Sequence, residues 1–204
     1  MSAVKRRFIE KAEGEEYVHK AVWLVAKRQL THAEAHPKGA LLDHLVVLVF
    51  VSHALEGYTN YLGEKVAPAL WQDERTIFAK TALAGKLDAL HEVCGLARLE
   101  RGKRPWSTIG ALKRLRDGIA HPRTKTTVKS TEYVEGKEPP LFARSYLTEA
   151  VSKAKAVRAM EDAKAIVDRL HEAAMARFPN AGLLPEGLEG ILSMRSTKAS
   201  LLEE

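Results

Sequence analysis

Apolar residues recur along this chain at three- and four-residue steps, the period of a helix with one buried face. Tyr17, Val18, Ala21, Val22, Leu24, Val25 and Leu30 predict a first amphipathic helix, broken at His36-Pro37-Lys38-Gly39. The next segment, from about Leu41 to Leu62, is apolar nearly all round in its first half. Its β-branched run would suit a strand by propensity, but its length points to a buried helix. Ala67-Pro68 marks a break. A third helix is expected from an Asp73 cap, with Ile77, Phe78, Leu83, Leu87, Leu90 and Val93 on its apolar side and Gly95 as its stop.

After a charged loop from Leu99 to Pro105, Ser107 or Thr108 can cap a fourth helix. Ile109, Leu112, Leu115 and Ile119 form its apolar stripe, and Pro122 ends it. Residues 123–140 are polar, carry Glu135-Gly136 and Pro139-Pro140, and read as a long loop. One long helix is expected from about Tyr146 to Arg177, closed by Phe178-Pro179-Asn180. Pro185 then opens a short helix burying Leu188, Ile191 and Leu192, and residues 196–204 read as a mobile tail. There is no internal repeat or low-complexity segment. The expected fold class is all-α: a single domain over 1–204, with a helical bundle of four main helices and a short C-terminal helix.

Composition narrows the function. The chain has 204 residues, 46% of them hydrophobic and 28% charged, enough for one domain with a sizeable core. Its single cysteine, Cys94, permits neither an intrachain disulfide framework nor a thiolate zinc cluster, and a reducing cytosol suits it. The N-terminus is basic, but Phe8-Ile9 runs straight into Glu10-Lys11, unlike an export signal. The most apolar run, Leu45 to Val51, falls short of the ~20 residues of a membrane span and predicts a core segment. A cytoplasmic protein with no membrane partner is the expectation.

Net charge is +6 and the isoelectric point about 9.4, compatible with a polyanionic partner. The excess clusters locally. Arg98, Arg101, Lys103, Arg104, Lys113, Arg114, Arg116, Arg123, Lys125 and Lys129 fall within 98–129, against only Glu100 and Asp117. If several of these contact phosphate, binding should weaken steeply with salt.

Inside that stretch lies the one segment with chemical character, Arg114-Leu115-Arg116-Asp117-Gly118-Ile119-Ala120-His121-Pro122-Arg123. Arginine–histidine spacing alone is weak evidence; the setting strengthens it. The pair ends an amphipathic helix, with an acid directly after Arg116 and a proline directly after His121. Two further segments accompany it: Ala54-Leu55-Glu56-Gly57-Tyr58-Thr59-Asn60-Tyr61-Leu62, and Leu83-Ala84-Gly85-Lys86-Leu87-Asp88-Ala89-Leu90. Together with Trp106 and the Arg116 to His121 helix, these resemble the HEPN superfamily over about residues 40–125, and the 146–177 helix fits the closing helix of such bundles.

The resemblance implies a metal-independent endoribonuclease with no cofactor, working as a homodimer whose motif helices meet across the interface. It implies that Arg116 holds the scissile phosphate, that His121 is the general acid or base for attack by the ribose 2′-hydroxyl, and that Asp117 orients His121 or an RNA group. Lys113, Arg114, Arg123 and Lys125 are candidate RNA contacts, and Glu56 a possible support. A toxin or defence effector restrained by an antitoxin or regulatory protein is one role that follows. Arg123 stands where nucleotidyltransferase-silenced members often carry tyrosine, which departs from that mode of control. The rival expectation is an idle HEPN-like scaffold that dimerises or binds partners.

The residues add constraints of their own. Histidine takes and gives protons near neutrality, with an unperturbed pKa of about 6.5. Pro122 disfavours the α conformation at His121 and so places the ring at a helix C-terminus. There the helix dipole favours its protonated form, while Arg114, Arg116 and Arg123 oppose it. On a regular helix Arg116 and His121 lie about 140° apart, whereas Asp117 and Arg114 share the face of His121. Either the helix unwinds near Gly118 or a second subunit completes the site, and Arg114 competes with Arg116 for the phosphate. Trp23, Trp71 and Trp106 read as core anchors rather than stacking platforms. Arg116 could equally be a helix-end arginine paired with Glu56, and the rival gains if Arg116 and Asp117 are closed in ion pairs within one subunit.

Overall fold

The apolar run around residues 45–51 lies in the longest helix, α2 (Ala40–Val66, 27 residues), and α2 is the axis of the fold. A computed structural model describes residues 8–121, 124 and 146–201. In chain order these form β1 (Phe8–Glu16), α1 (Val18–Ala35), α2, α3 (Pro68–Trp71), α4 (Glu74–Ile77), α5 (Ala82–Val93), α6 (Trp106–Ala120), α7 (Tyr146–Ala150), α8 (Lys153–Arg177) and β2 (Ser193–Leu201). Helix α2 is long and apolar enough by length and composition to cross a bilayer. Here α1, α5, α6 and α8 pack around it, and Val47, Val51, Leu55, Tyr58 and Leu62 are fully buried. Each such side chain contributes roughly 1.5–3 kcal/mol of burial, so a helix apolar on most sides demands neighbours on most sides.

The neighbours meet that demand with their own stripes. Leu87 and Leu90 come from α5, Ile109, Leu112 and Leu115 from α6, and Ile166, Val167 and Leu170 from α8. On α1 the buried line is His19, Trp23, Ala26 and Ala33, rather than one through Val18 and Val25, which are exposed. At the far end of α2, Gly63 admits the Trp71 ring so closely that a Cβ there would sit 2.0 Å from a ring carbon.

Two expected helices are broken, each for a packing reason. The third divides into α4 and α5 at residues 78–81. On one continuous helix Phe78 would point about 140° from Leu83 and 180° from Leu87. The break lets all three be buried, with Phe78 against Trp71 at a ring-centroid distance of 5.2 Å. The 146–177 helix divides into α7 and α8 at Val151 and Ser152. Val151 turns into the core, and the Ser152 hydroxyl accepts the Lys155 N–H at 3.3 Å to cap α8.

The C-terminal expectations require correction. The short helix from Pro185 does not form: residues 183–192 are irregular, Leu184 and Leu188 are buried, and Ile191 and Leu192 are exposed. Side chains from other helices take the carbonyls that a helix would need. His19 Nε2 donates to Gly187 O at 3.1 Å, His171 Nε2 donates to Leu184 O at 2.8 Å, and the buried Lys20 donates to Glu189 O. The Leu184 N–H donates to the Tyr61 hydroxyl at 2.9 Å. Residues 196–201, expected in a mobile tail, belong to β2, which pairs antiparallel with β1 from Glu16↔Ser193 to Phe8↔Leu201. The fold is predominantly helical, consistent with the expected all-α class, and adds one two-stranded ribbon among the described residues.

The histidines that pin this segment make stability sensitive to acid. Burial holds the His19 imidazole down at about 4, and burial also lowers His171 and His91. An unfolded histidine protonates near 6.5, so the unfolded state gains protons first as pH falls. The stabilisation is full above pH 6.5 and is lost on the way down to about pH 4, on the order of 3 kcal/mol from His19 alone. Denaturant unfolding at pH 7, 5.5 and 4.5 should show this fall. His19→Gln, which can still donate to Gly187 O, should flatten it relative to the wild type; an unchanged pH slope would place the sensitivity elsewhere.

Candidate functional site

The site is built on the C-terminal turns of α6 and the middle of α2. Helix α6 starts at Trp106 without a side-chain cap. Thr108, expected as a possible cap, instead gives its hydroxyl to Asp162 of α8. Asp162 is buried, and Arg104 binds both its carboxylate oxygens, Nη2 to Oδ1 at 2.8 Å and Nε to Oδ2 at 3.0 Å. This two-point clamp fixes how α6 lies against α8.

At its other end α6 stays regular through Gly118 to Ala120. His121 then leaves the α region at φ −122° and ψ 67°, as the following proline dictates, and its N–H closes on Asp117 O at 3.1 Å. The helix does not unwind, so Arg116 and His121 do not converge within one chain. Asp117 and His121, four residues apart, share an outer face. The His121 ring is exposed and has no partner among the described residues.

Arg116 lies inward, its side chain only 20% exposed, with Nη1 on Glu56 of α2 and Nη2 3.4 Å from Asp117 Oδ1. Asp117 is held more closely by Lys113, at 2.6 Å, and the Lys113 ammonium keeps its carboxyl below the usual carboxylate range. Glu56, Arg116, Asp117 and Lys113 thus form one line of alternating charge inside a single subunit. Among the described residues, no group of three or more His, Cys, Asp or Glu is placed to hold a metal ion. Cys94 is buried, and burial pushes its thiol up, away from nucleophilic use.

Tertiary structure neutralises most of the basic stretch. Arg98 pairs with Glu92, Arg101 with Asp88, Lys103 with Glu100, and Arg104 with Asp162 and Glu161. Within residues 98–121 the exposed cation left without a carboxylate among the described residues is Arg114. Arg123, Lys125 and Lys129 lie outside the described residues, as do Pro122 and most of the 123–140 loop. Arg114 instead faces α8. With Lys155 and Arg158 it rims a cleft of about 440 Å³ whose apolar wall includes Leu48, Leu112, Leu115 and Ala159. The sequence reading missed Lys155 and Arg158. Their three-residue spacing at the start of α8 was visible, but their approach to Arg114 depends on the Asp162 clamp.

Comparison of the chain with protein families, with curated proteins and with solved structures returns no match.

The Glu56–Arg116 pair is the joint between α2 and the motif helix. Both side chains are partly buried, so removing one leaves the other poorly solvated. In a double-mutant cycle of Glu56→Gln and Arg116→Gln, chemical unfolding should give a coupling energy of about 1 kcal/mol or more. A coupling near zero would show that the pair does not hold the helix end.

Proposed function

We propose that this chain is a HEPN-like, metal-independent endoribonuclease, active as a homodimer in the cytoplasm. The observation that carries the reading is the end of α6, where an exposed histidine and a carboxylate share one face beside an arginine anchored on a second helix. That arrangement supports proton transfer by His121 next to a phosphate held by the Arg116 of a second copy, since the two do not converge within one chain. The 2′-oxygen attacks phosphorus, the 5′-oxygen leaves, and a 2′,3′-cyclic phosphate forms. His121 moves the proton, from the 2′-hydroxyl or to the departing oxygen. Arg116 keeps Nη1 on Glu56, while its longer contact to Asp117 is the one a phosphate oxygen displaces. Asp117 has Lys113 to retain it.

Because α6 stays regular, a composite site needs the equivalent helix of a second copy. Ile119, expected on the buried stripe, is instead 37% exposed next to this end, an apolar surface that such a copy would cover. A toxin or defence role, with an antitoxin or regulatory protein as partner, follows from the same reading.

One observation favours a second reading. Arg116 and Asp117 are already satisfied inside one subunit, which suits a non-catalytic HEPN-like dimerisation module. Cleavage separates the two. Chelator-treated protein should cut single-stranded RNA in EDTA, leave 2′,3′-cyclic phosphate ends and spare DNA, which lacks the attacking hydroxyl. His121→Ala, at an exposed position, should keep the fold and lower the rate by about 10²-fold, and Arg116→Ala should do at least as much. Cleavage that requires Mg²⁺, or that persists undiminished in His121→Ala, would falsify the mechanism. A stable dimer with no cleavage of any RNA supports the second reading.

A further inference from the structure

One edge of the cleft between α6 and α8 shares the face of α6 that carries His121. Ser107, Ala111 and Arg114 line it, and they stand fourteen, ten and seven residues before His121, positions that share one broad face of a helix. Tyr146 of α7 continues the wall: a Cβ on Gly118 would lie 3.0 Å from its hydroxyl oxygen. The Tyr146 ring thus lies over α6 between the cleft and the His121 end, with its hydroxyl on Arg114 O at 3.4 Å.

The lining divides by chemistry. Leu48, Leu112 and Leu115 give an apolar floor, while Arg114, Lys155 and Arg158 bring three cations to the rim. Lys155 also donates to Glu149 O, the carbonyl near the end of α7. Arg114 and Arg158 have no carboxylate partner among the described residues, although elsewhere in this chain nearby arginines are taken up by ion pairs. The ligand complementary to such a site has a flat or compact apolar body and a multiply charged anionic group. A volume of about 440 Å³ is of the size that admits one nucleotide.

We infer that this cleft is a nucleotide subsite of the proposed ribonuclease: it takes one unstacked base of single-stranded RNA on its apolar floor and an adjoining phosphate among Arg114, Lys155 and Arg158. The inference rests on the RNA-cleaving reading for its role, though binding at the cleft is measurable without cleavage. Duplex RNA keeps its bases stacked and paired, so it cannot place one in the cleft. Base contacts here would be apolar and sequence-tolerant, with selectivity coming from size and from strandedness.

The test uses the full chain and a short 2′-O-methylated single-stranded RNA, which cannot be cleaved because its attacking hydroxyl is blocked. Its binding is followed by fluorescence anisotropy in EDTA. Ala111→Trp, at an exposed position on the cleft wall, should fill the cleft and weaken binding at least tenfold. Arg158→Ala should weaken it several-fold and lower the salt slope by about one. The same RNA annealed to its complement should bind at least tenfold more weakly, and circular dichroism should show the variants folded. Binding that is unchanged by Ala111→Trp, or equal for single strand and duplex, overturns the subsite even if the protein cleaves RNA. Cleft-dependent binding by a protein that never cleaves sustains the subsite and overturns the catalytic reading alone.

Discussion

An apolar helix that cannot be left uncovered organises this molecule. Helix α2 carries buried residues along its whole length, from Ala40 to Gly63, and on several sides. A helix with one apolar stripe needs a single neighbour; this one needs four, and α1, α5, α6 and α8 are arranged to supply them. The breaks between α4 and α5 and between α7 and α8 follow from the same constraint, since straight helices would have kept Phe78 or Val151 out of the core. Glu56 projects from α2 toward α6, and its position explains why the motif arginine points inward.

Polar side chains buried at the edges of this core then set the finer geometry. Asp162 cannot stay charged in a buried place without donors, and it finds them in Arg104 and Thr108. That requirement fixes α6 against α8 and so creates the cleft. His19, Lys20 and His171 do the same for the C-terminal segment by donating to its carbonyls. Neutral imidazoles serve here because burial disfavours their charged form. The residues that give the chain its chemical character thus divide into those spent on structure and a smaller exposed set, His121 and Arg114 foremost.

The catalytic and scaffold readings turn on how firmly Arg116 is held. Its pairing with Glu56 is compatible with both, as an anchor for a working arginine or as the end of its role. The longer contact to Asp117 leaves one side of the guanidinium exchangeable, and the shorter Lys113–Asp117 pair keeps that carboxylate stabilised when the contact opens. A regular α6 also means that no single subunit brings Arg116 and His121 onto one face, although Arg114 does share that face. On the proposed catalytic reading a second copy would complete the site, and the exposed Ile119 is the local apolar surface that such a copy would cover.

Local pattern determined a good deal. The helical periods of α1, α2, α6 and α8 were legible because each buries a stripe recurring every three to four residues, and His121 could be placed at a helix end because proline restricts the residue before it. Arg116 and Asp117 could be named as a site, but not their partners. Helix breaks at 78–81 and 151–152 were hidden, since they arise from where the core lies and not from a breaker residue. The same holds for the irregular 183–192 segment, whose carbonyls are claimed by side chains more than ten residues away, and for β2, whose hydrogen bonds come from the opposite end of the chain. Charge misled most. Among the described cations of that stretch all but Arg114 are paired, some with the local Glu100 and Asp117 and the others with carboxylates on α2, α5 and α8; such pairing depends on distance in the fold, not on order in the sequence.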